Sequence, residues 1–184
     1  MSKQGKNNNS ISKKILIMGL DNSGKTSITL SLQGISNLLR YAELNPTKNY
    51  NIVNFDILHS KFSIWDFGGQ KEYRDKHFKN LDQYFPETDK IIYVIDVQDI
   101  DRYDIALDYL EMLINKMPKK YATTIELLVF IHKCDPDLDK LHPEISDGKL
   151  EGLINKVKAV IPSEFNYKIM KTTIFTTFKK EEVY

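Results

Sequence analysis

The stretch at residues 13–27, KKILIMGLDNSGKTS, passes from a short apolar run through two glycines to a lysine and a threonine. The apolar run is typical of a buried parallel strand, and the residues after Lys25 have helical character. Between them stands the pattern Gly-x-x-x-x-Gly-Lys-Thr. Its glycines let the backbone approach a phosphate, and the following helix adds its positive end. We therefore predict a strand, a loop and a helix that together bind a nucleoside triphosphate.

The positions of this loop have different expected roles. Lys25 is expected to bridge the β- and γ-phosphates, and the Thr26 hydroxyl to coordinate Mg²⁺. The other predicted nucleotide contacts in the loop are Asp21, Asn22, Ser23, Gly24 and Ser27. Because loops of this kind serve several classes of protein, the pattern alone predicts a triphosphate and Mg²⁺ but not the base.

Strand-like and helical segments alternate along the rest of the chain. Residues 51–67, with a polar turn at His59 and Ser60, predict an antiparallel hairpin, and residues 90–97, 125–133 and 167–175 predict further strands. Two stripes of apolar residues at helical spacing stop before Pro118 and Pro162. This order predicts a three-layer α/β fold, with helices on both faces of a mostly parallel six-stranded sheet that has one antiparallel edge strand.

Length and composition predict a single cytosolic domain. Acidic and basic residues number 25 and 26, so no nucleic-acid partner is expected, and the one cysteine excludes a disulfide framework. No signal peptide and no apolar run of about 20 residues is present in the sequence. We predict a flexible basic tail at residues 1–13 and one domain at residues 14–184. The tail is expected to make at most weak peripheral contact with an anionic membrane surface.

A second set of candidate residues surrounds the sequence WDFGGQ. Asp66 ends an apolar run and is predicted to hold Mg²⁺ through water, while the Gly69 amide can reach a γ-phosphate. Gln70 carries both a donor and an acceptor, which suits orienting an attacking water, and it is the predicted catalytic residue. Thr47, in LNPTKNY, is predicted to close on Mg²⁺ when a γ-phosphate is present. The expected metal ligands are thus Thr26, Thr47 and Asp66.

The sequence HKCD predicts the base. The Asp135 carboxylate can accept hydrogen bonds from N1 and N2 of guanine, a donor pair that adenine lacks. Lys133 is expected to lay its alkyl stem along the base, and His132 to line the loop wall. Thr173 and Ile174 follow the last predicted strand, where their backbone amides could meet the guanine O6. Alternatively, Asp135 is only a turn residue in DPDLD and the protein uses ATP.

With these loops in this order, the sequence resembles the small Ras-like GTPases from about residue 13 onward. GLDNSGKTS, NPT, and WDFGGQ followed by Arg74 are similar to the Arf and Arf-like branch. IYVIDVQD and VFIHKCD, with histidine in place of the usual asparagine, are similar to the Rag and Gtr GTPases. The resemblance implies a Ras-like G domain and a molecular switch. The switch would bind GTP or GDP with Mg²⁺, hydrolyse GTP and recruit effectors in vesicle trafficking or signalling.

The resemblance also implies an exchange factor, a GTPase-activating protein and effector proteins as partners. No arginine stands two or three residues before Thr47, so we expect slow hydrolysis that depends on an arginine from the activating protein. The alternative is a Rag-like scaffold that pairs with a second GTPase and hydrolyses little. Gln70 favours the switch, because a scaffold need not position water. We also expect the last helix of the domain to be short or truncated.

Overall fold

The computed structural model describes residues 11–57 and 60–175. Its elements, in chain order, are β1 (Ile11–Gly19), α1 (Lys25–Leu32), α2 (Leu38–Ala42), β2 (Tyr50–Ile57), β3 (Ser60–Phe67), α3 (Lys71–Lys79), β4 (Thr88–Asp96), α4 (Tyr103–Lys116), α5 (Lys119–Ala122), β5 (Glu126–His132), α6 (Leu138–Leu141), α7 (Asp147–Val160) and β6 (Tyr167–Lys171). Short 3₁₀ turns lie at Leu81–Gln83 and Ile100–Arg102.

The six strands form one sheet in the order β2-β3-β1-β4-β5-β6. The edge pair β2 and β3 is antiparallel, and every other neighbouring pair is parallel. This arrangement confirms the predicted α/β fold with one antiparallel edge strand. The carboxyl ends of β1, β3, β4, β5 and β6 therefore meet at one edge, where ligands bind in sheets of this type.

The sheet is packed on both faces, which explains the continuous apolar runs of its central strands. Along β4, Ile91, Tyr93 and Ile95 enter the larger core cluster together with the apolar stripes of α4 and α7. Ile92 and Val94 point to the opposite face and join a smaller cluster with Ile28 of α1. Helices thus cover both faces, as a three-layer fold requires.

Two predicted boundaries are wrong at the sheet. Residues 11–13 were expected in the tail, but β1 begins at Ile11 and its first residues pair with the start of β3. The predicted last strand is too long, because β6 ends at Lys171. Its neighbour β5 ends at His132, and of the residues after Lys171 only Thr172 still bonds to that strand, through its amide to the Ile131 carbonyl at 2.9 Å.

Other predicted features fall partly or wholly outside the described residues. Ser60 belongs to β3 and pairs with Ile57, so it is not a turn residue. Its predicted turn partner His59, the tail at residues 1–10, and the chain end at 176–184 where a short last helix was expected all lie outside the described residues. None of the described helices has the length and apolar character that crossing a membrane would require.

Candidate functional site

The phosphate-binding loop lies between β1 and α1, against the ends of the neighbouring strands. Gly24 has a φ of +91°, and a Cβ there would lie 2.6 Å from Cδ2 of His132. A side chain at this position would therefore strain the backbone and push the loop away from β5. Ser23 is buried, and its Oγ donates to the carbonyl of Leu20 at 2.9 Å. Ser23 thus stabilises the loop from its buried side, whereas Asn22, Gly24 and Ser27 line the adjacent cavity.

Lys25 is 5% exposed and folds back onto the loop. Its Nζ donates to the Leu20 carbonyl at 2.5 Å and lies 3.5 Å from Ser23 Oγ. Burial lowers the pKa of Lys25 to about 8, although the nearby carboxylates of Asp66 and Asp21 act in the opposite direction. The site thus holds a buried ammonium group next to a cavity, where a phosphate oxygen could pair with it.

The three predicted metal ligands lie together, although they come from separate segments of the chain. Thr26 Oγ1 donates to Asp66 Oδ2 at 2.6 Å and lies 3.1 Å from Thr47 Oγ1. Thr47 Oγ1 in turn lies 3.3 Å from the same Asp66 oxygen. Asp66 is fully buried, and burial raises its pKa, whereas the Thr26 hydroxyl and the Lys25 charge lower it. The cluster brings one carboxylate and two hydroxyls to the floor of the cavity.

An unpartnered atom shows that this cluster fits a hydrated Mg²⁺. The second carboxylate oxygen, Asp66 Oδ1, is buried and has no hydrogen-bond partner. Buried polar atoms normally have a hydrogen-bond partner, so the unpartnered Asp66 oxygen indicates a position at which a water or an ion would bind. The described residues hold no group of three His, Cys, Asp or Glu that could bind a metal by itself. Mg²⁺ suits such a site, because it keeps several waters and takes its other ligands from phosphates.

Gly69 and Gln70 form the opposite wall of the phosphate cavity. The Asp21 amide donates to the Gly69 carbonyl at 3.1 Å, and a Cβ at Gly69 would lie 2.2 Å from the Asp21 nitrogen. Only glycine allows this close approach between the two loops. Gln70 is exposed immediately before α3, at the rim of the cavity. Its side chain therefore borders the phosphate cavity without being buried in it.

A second cavity of about 570 Å³ lies next to the phosphate cavity of about 510 Å³. It is lined by residues predicted to contact the base, and we call it the base end of the cleft. Both cavities are lined by Gly24, Ser27, Tyr41 and Lys133, so they form one continuous cleft. His132, Asp135 and Ile174 line the base end. The Thr173 hydroxyl donates to Asp135 Oδ1, so this residue contacts Asp135 through its side chain.

His132 connects the base end to the phosphate loop. Its ring packs against Gly24, and Nδ1 lies 2.9 Å from the Thr172 hydroxyl. Burial lowers the pKa of His132, partly offset by Asp96, so the ring is neutral near pH 7. Lys133 has a φ of +63° and its Nζ pairs with Asp96 Oδ2 at 2.6 Å. These contacts fix the position of the loop after β5 relative to the phosphate-binding loop.

Comparison with known proteins shows which protein family has this fold and cleft. The profile of the ADP-ribosylation factor (Arf) family matches residues 1–183. The chain belongs to the Arf family. This result confirms the Arf-like part of the resemblance that the sequence motifs indicated.

Individual relatives of the Arf-family chain match over part of their length. ADP-ribosylation factor-like protein 2 of Dictyostelium discoideum is 37% identical over 133 residues, which cover 72% of this chain and 66% of that protein. ADP-ribosylation factor 1 of Brassica rapa subsp. pekinensis is 34% identical over 122 residues, which cover 66% of this chain and 61% of that protein. The chain thus spans less than two thirds of the length of these curated relatives.

A solved structure supports the fold of this Arf-family chain. The Arl6 BBS3 small GTPase from Trypanosoma brucei, with the bound nucleotide analogue GppNp, matches with a TM-score of 0.65. The match covers 88% of this chain and 87% of that one at 21% sequence identity. Arl6 and the Arf-family chain therefore share their fold.

Two residues of the Arf-family site escaped prediction from the sequence, and both lie beyond the end of β4. Arg102 Nη1 lies 2.9 Å from Asp21 Oδ1, so the Asp21 carboxylate is held by an arginine next to the cavity. Gln98 donates from Nε2 to Asp135 Oδ2 at 3.2 Å. The carboxyl end of β4 lies at the ligand-binding edge, and that position was the signal that could have identified them.

Proposed function

We propose that this Arf-family chain is a GTPase that binds GTP or GDP with Mg²⁺ in the described cleft. It hydrolyses GTP slowly and alternates between two states of the loops around Thr47 and Gly69, which effectors distinguish in vesicle trafficking or signalling. The observation that carries the proposal is the convergence of Thr26, Thr47 and Asp66 beside the buried Lys25. A site for a magnesium-bound triphosphate requires such a set.

The phosphates are bound by the loop between β1 and α1. Backbone amides of residues 22–26 and the positive end of α1 would bind the phosphate oxygens, and the Lys25 ammonium would contribute the charge. Thr26 and Thr47 would supply hydroxyls to Mg²⁺, and the Asp66 carboxylate would hold it through water. Bound Mg²⁺ would neutralise the negative charge that develops on the transferred phosphoryl group. The Thr47 loop would close on the metal when a γ-phosphate is bound, and loss of that phosphate would release the loop.

The base is guanine in this proposal. The Asp135 carboxylate accepts from the N1 and N2 hydrogens of guanine, and adenine presents no such pair. The Lys133 stem would lie along the base, His132 and Ile174 line the base cavity, and Thr173 contacts Asp135 through its hydroxyl. Replacing Asp135 by asparagine is expected to reverse this preference towards xanthine.

Hydrolysis is expected to be slow, because the described residues that line the phosphate end include no arginine. Arg74 and Arg102, which contact the loops beside it, are already engaged by other groups. Arg74 Nη1 donates to the Gly69 carbonyl at 2.5 Å. Arg102 is engaged by Asp21 and Asp99. A partner's arginine is therefore expected to raise the rate by about 10³- to 10⁵-fold, with Gln70 orienting the water.

Single-turnover hydrolysis of bound GTP tests this proposal. The purified chain is expected to react at about 10⁻⁴ to 10⁻² s⁻¹, and Gln70→Leu is expected to be slower by at least about tenfold. Rapid turnover by the purified chain alone would contradict the dependence on a partner. An unchanged rate in Gln70→Leu would remove Gln70 from its catalytic role.

A Rag-like scaffold is the second candidate, and the observation that favours it is His132, the histidine of HKCD. Its ring packs on the phosphate loop and its Nδ1 lies within hydrogen-bond distance of the Thr172 hydroxyl, so this histidine is part of the site. Such a scaffold binds nucleotide, hydrolyses little and pairs with another GTPase. The mass of the nucleotide-bound protein separates the candidates, since the switch is expected to be a monomer and the scaffold a dimer.

Domain organisation, partners and location complete the proposal. We propose a single G domain that includes β1 from Ile11, preceded by a basic tail, in a cytosolic protein. The partners are an exchange factor, a GTPase-activating protein and effectors, and the tail's lysines give weak contact with anionic membranes. Co-sedimentation with anionic vesicles at low and high salt tests the membrane contact, which is expected to disappear at high salt.

A further inference from the structure

The Asp135 carboxylate is held from two sides at the edge of the base cavity. Gln98, in the loop after β4, donates from Nε2 to Asp135 Oδ2 at 3.2 Å and to the Lys133 carbonyl at 3.1 Å. Thr173 donates its hydroxyl to the other carboxylate oxygen, Oδ1. Each oxygen of the carboxylate therefore has one partner from the protein.

Gln98 is itself fixed in place by its surroundings. Its backbone amide donates to Asp96 Oδ1 at 2.9 Å, and the second oxygen of the buried Asp96 pairs with Lys133 Nζ at 2.6 Å. The adjacent Val97 amide donates to the His132 carbonyl at 3.0 Å. The loop after β4 is thus locked onto the loop after β5, and Gln98 can impose an orientation on Asp135.

We propose that Gln98 is a positioning residue for guanine selection, an inference that rests on the proposed function. An ionised carboxylate can accept about four hydrogen bonds, two at each oxygen. Gln98 and Thr173 use one at each oxygen and leave the other two for the base. The terminal torsion of an aspartate is otherwise broad, so fixing the carboxylate plane before binding lowers the ordering cost of the complex.

Guanine and hypoxanthine distinguish this role from a general structural one. Guanine offers donors at N1 and N2 and uses both oxygens of Asp135, whereas hypoxanthine offers only N1–H and uses one. Loss of the Gln98 amide is therefore expected to weaken GDP more than IDP. A residue that only stabilised the loops would weaken both nucleotides equally.

The test compares Gln98→Ala and Gln98→Glu with the wild-type full chain. Gln98→Ala is expected to weaken GDP about 3- to 10-fold and IDP less than about twofold. Gln98→Glu has nearly the same size but loses the donor and adds a negative charge beside Asp135, so GDP is expected to weaken further. Gln83→Ala, the same change at an exposed residue, is the control and is expected to bind like the wild type.

Dissociation constants for GDP, IDP and ADP, measured with Mg²⁺ by displacement of a fluorescent GDP analogue, decide the outcome. A lower GDP-to-IDP preference in both Gln98 variants supports the inference. An unchanged preference, or an equal loss for both nucleotides, overturns it while leaving the proposed function intact. A wild-type chain that binds ADP as tightly as GDP overturns the proposed function and this inference together.

Discussion

Replacing Lys25 by methionine should stabilise the nucleotide-free protein while abolishing tight nucleotide binding. The ordinary pKa of a lysine is 10.5, and burial lowers that of Lys25 to about 8. At 1.36 kcal/mol per pH unit, keeping this lysine charged in the folded protein costs about 3 kcal/mol at pH 7. Methionine fills a similar volume without the charge.

The expected gain is smaller than this cost, because Lys25 also makes favourable contacts. Its Nζ donates to the Leu20 carbonyl and lies 3.5 Å from Ser23 Oγ. We therefore expect Lys25→Met to raise the free energy of unfolding at pH 7 by about 1 to 3 kcal/mol. With saturating GDP the order reverses, because only the wild type gains stability from the ligand.

The stability difference should also depend on pH. Between about pH 8 and 10.5 the unfolded chain holds the Lys25 proton and the folded protein does not. The free energy of unfolding of the wild type therefore rises with pH in this range, because the cost of burying the charge is lost. The wild type is expected to gain about 1 kcal/mol from this group between pH 7 and 9, a gain absent from Lys25→Met.

Urea unfolding of the EDTA-treated proteins at pH 7, 8 and 9 measures these differences. Lys158→Met, the same change at an exposed position of α7, is the control and is expected within about 0.5 kcal/mol of the wild type. A Lys25→Met protein that is less stable than the wild type at pH 7, with the same pH dependence, would refute the reasoning about the buried charge.

Three further predictions concern the cleft. In Asp66→Ala, chelation of Mg²⁺ should no longer change GDP affinity, whereas the wild type should lose about tenfold or more; an equal response in both would exclude Asp66 from the metal site. Gly24→Ala should weaken every nucleotide by more than about tenfold, because its Cβ would meet His132 at 2.6 Å. The control is Gly152→Ala, within α7, where no atom lies within 4 Å of the new Cβ. This variant should raise the free energy of unfolding by about 0.5 to 1 kcal/mol. Similar losses of nucleotide affinity in both glycine variants would contradict the steric reasoning. Asp135→Asn should shift preference from GDP to XDP in a competition assay, and an unchanged preference would mean that Asp135 is only a turn residue.

Local patterns were sufficient to predict most of the sheet and to identify three residues that the fold brings together. The central strands are continuous apolar runs because both of their faces are buried, so the runs themselves identify them. Thr26, Thr47 and Asp66 were predicted as one set because loops at the carboxyl edge of a sheet converge. The structure brings these three residues together, with hydrogen bonds between them.

Features that depend on strand register could not be predicted in this way. Gln98 reaches Asp135 because Asp96 at the end of β4 pairs with His132 at the end of β5. Periodicity within one segment carries no information about that register. The end of β6 could not be predicted for the same reason, since the residues after Lys171 have strand-like composition but the neighbouring strand β5 ends at His132. Contacts between loops likewise determine the pairing of Arg102 with Asp21.

The most direct test of the central claim is the identity of the nucleotide that the chain retains when it is purified in Mg²⁺. The protein is denatured, and the released nucleotide is identified by chromatography and quantified against protein concentration. We predict GDP or GTP at close to one molecule per chain. An adenine nucleotide in that position, or none after purification in Mg²⁺, would contradict the claim that this cleft selects guanine.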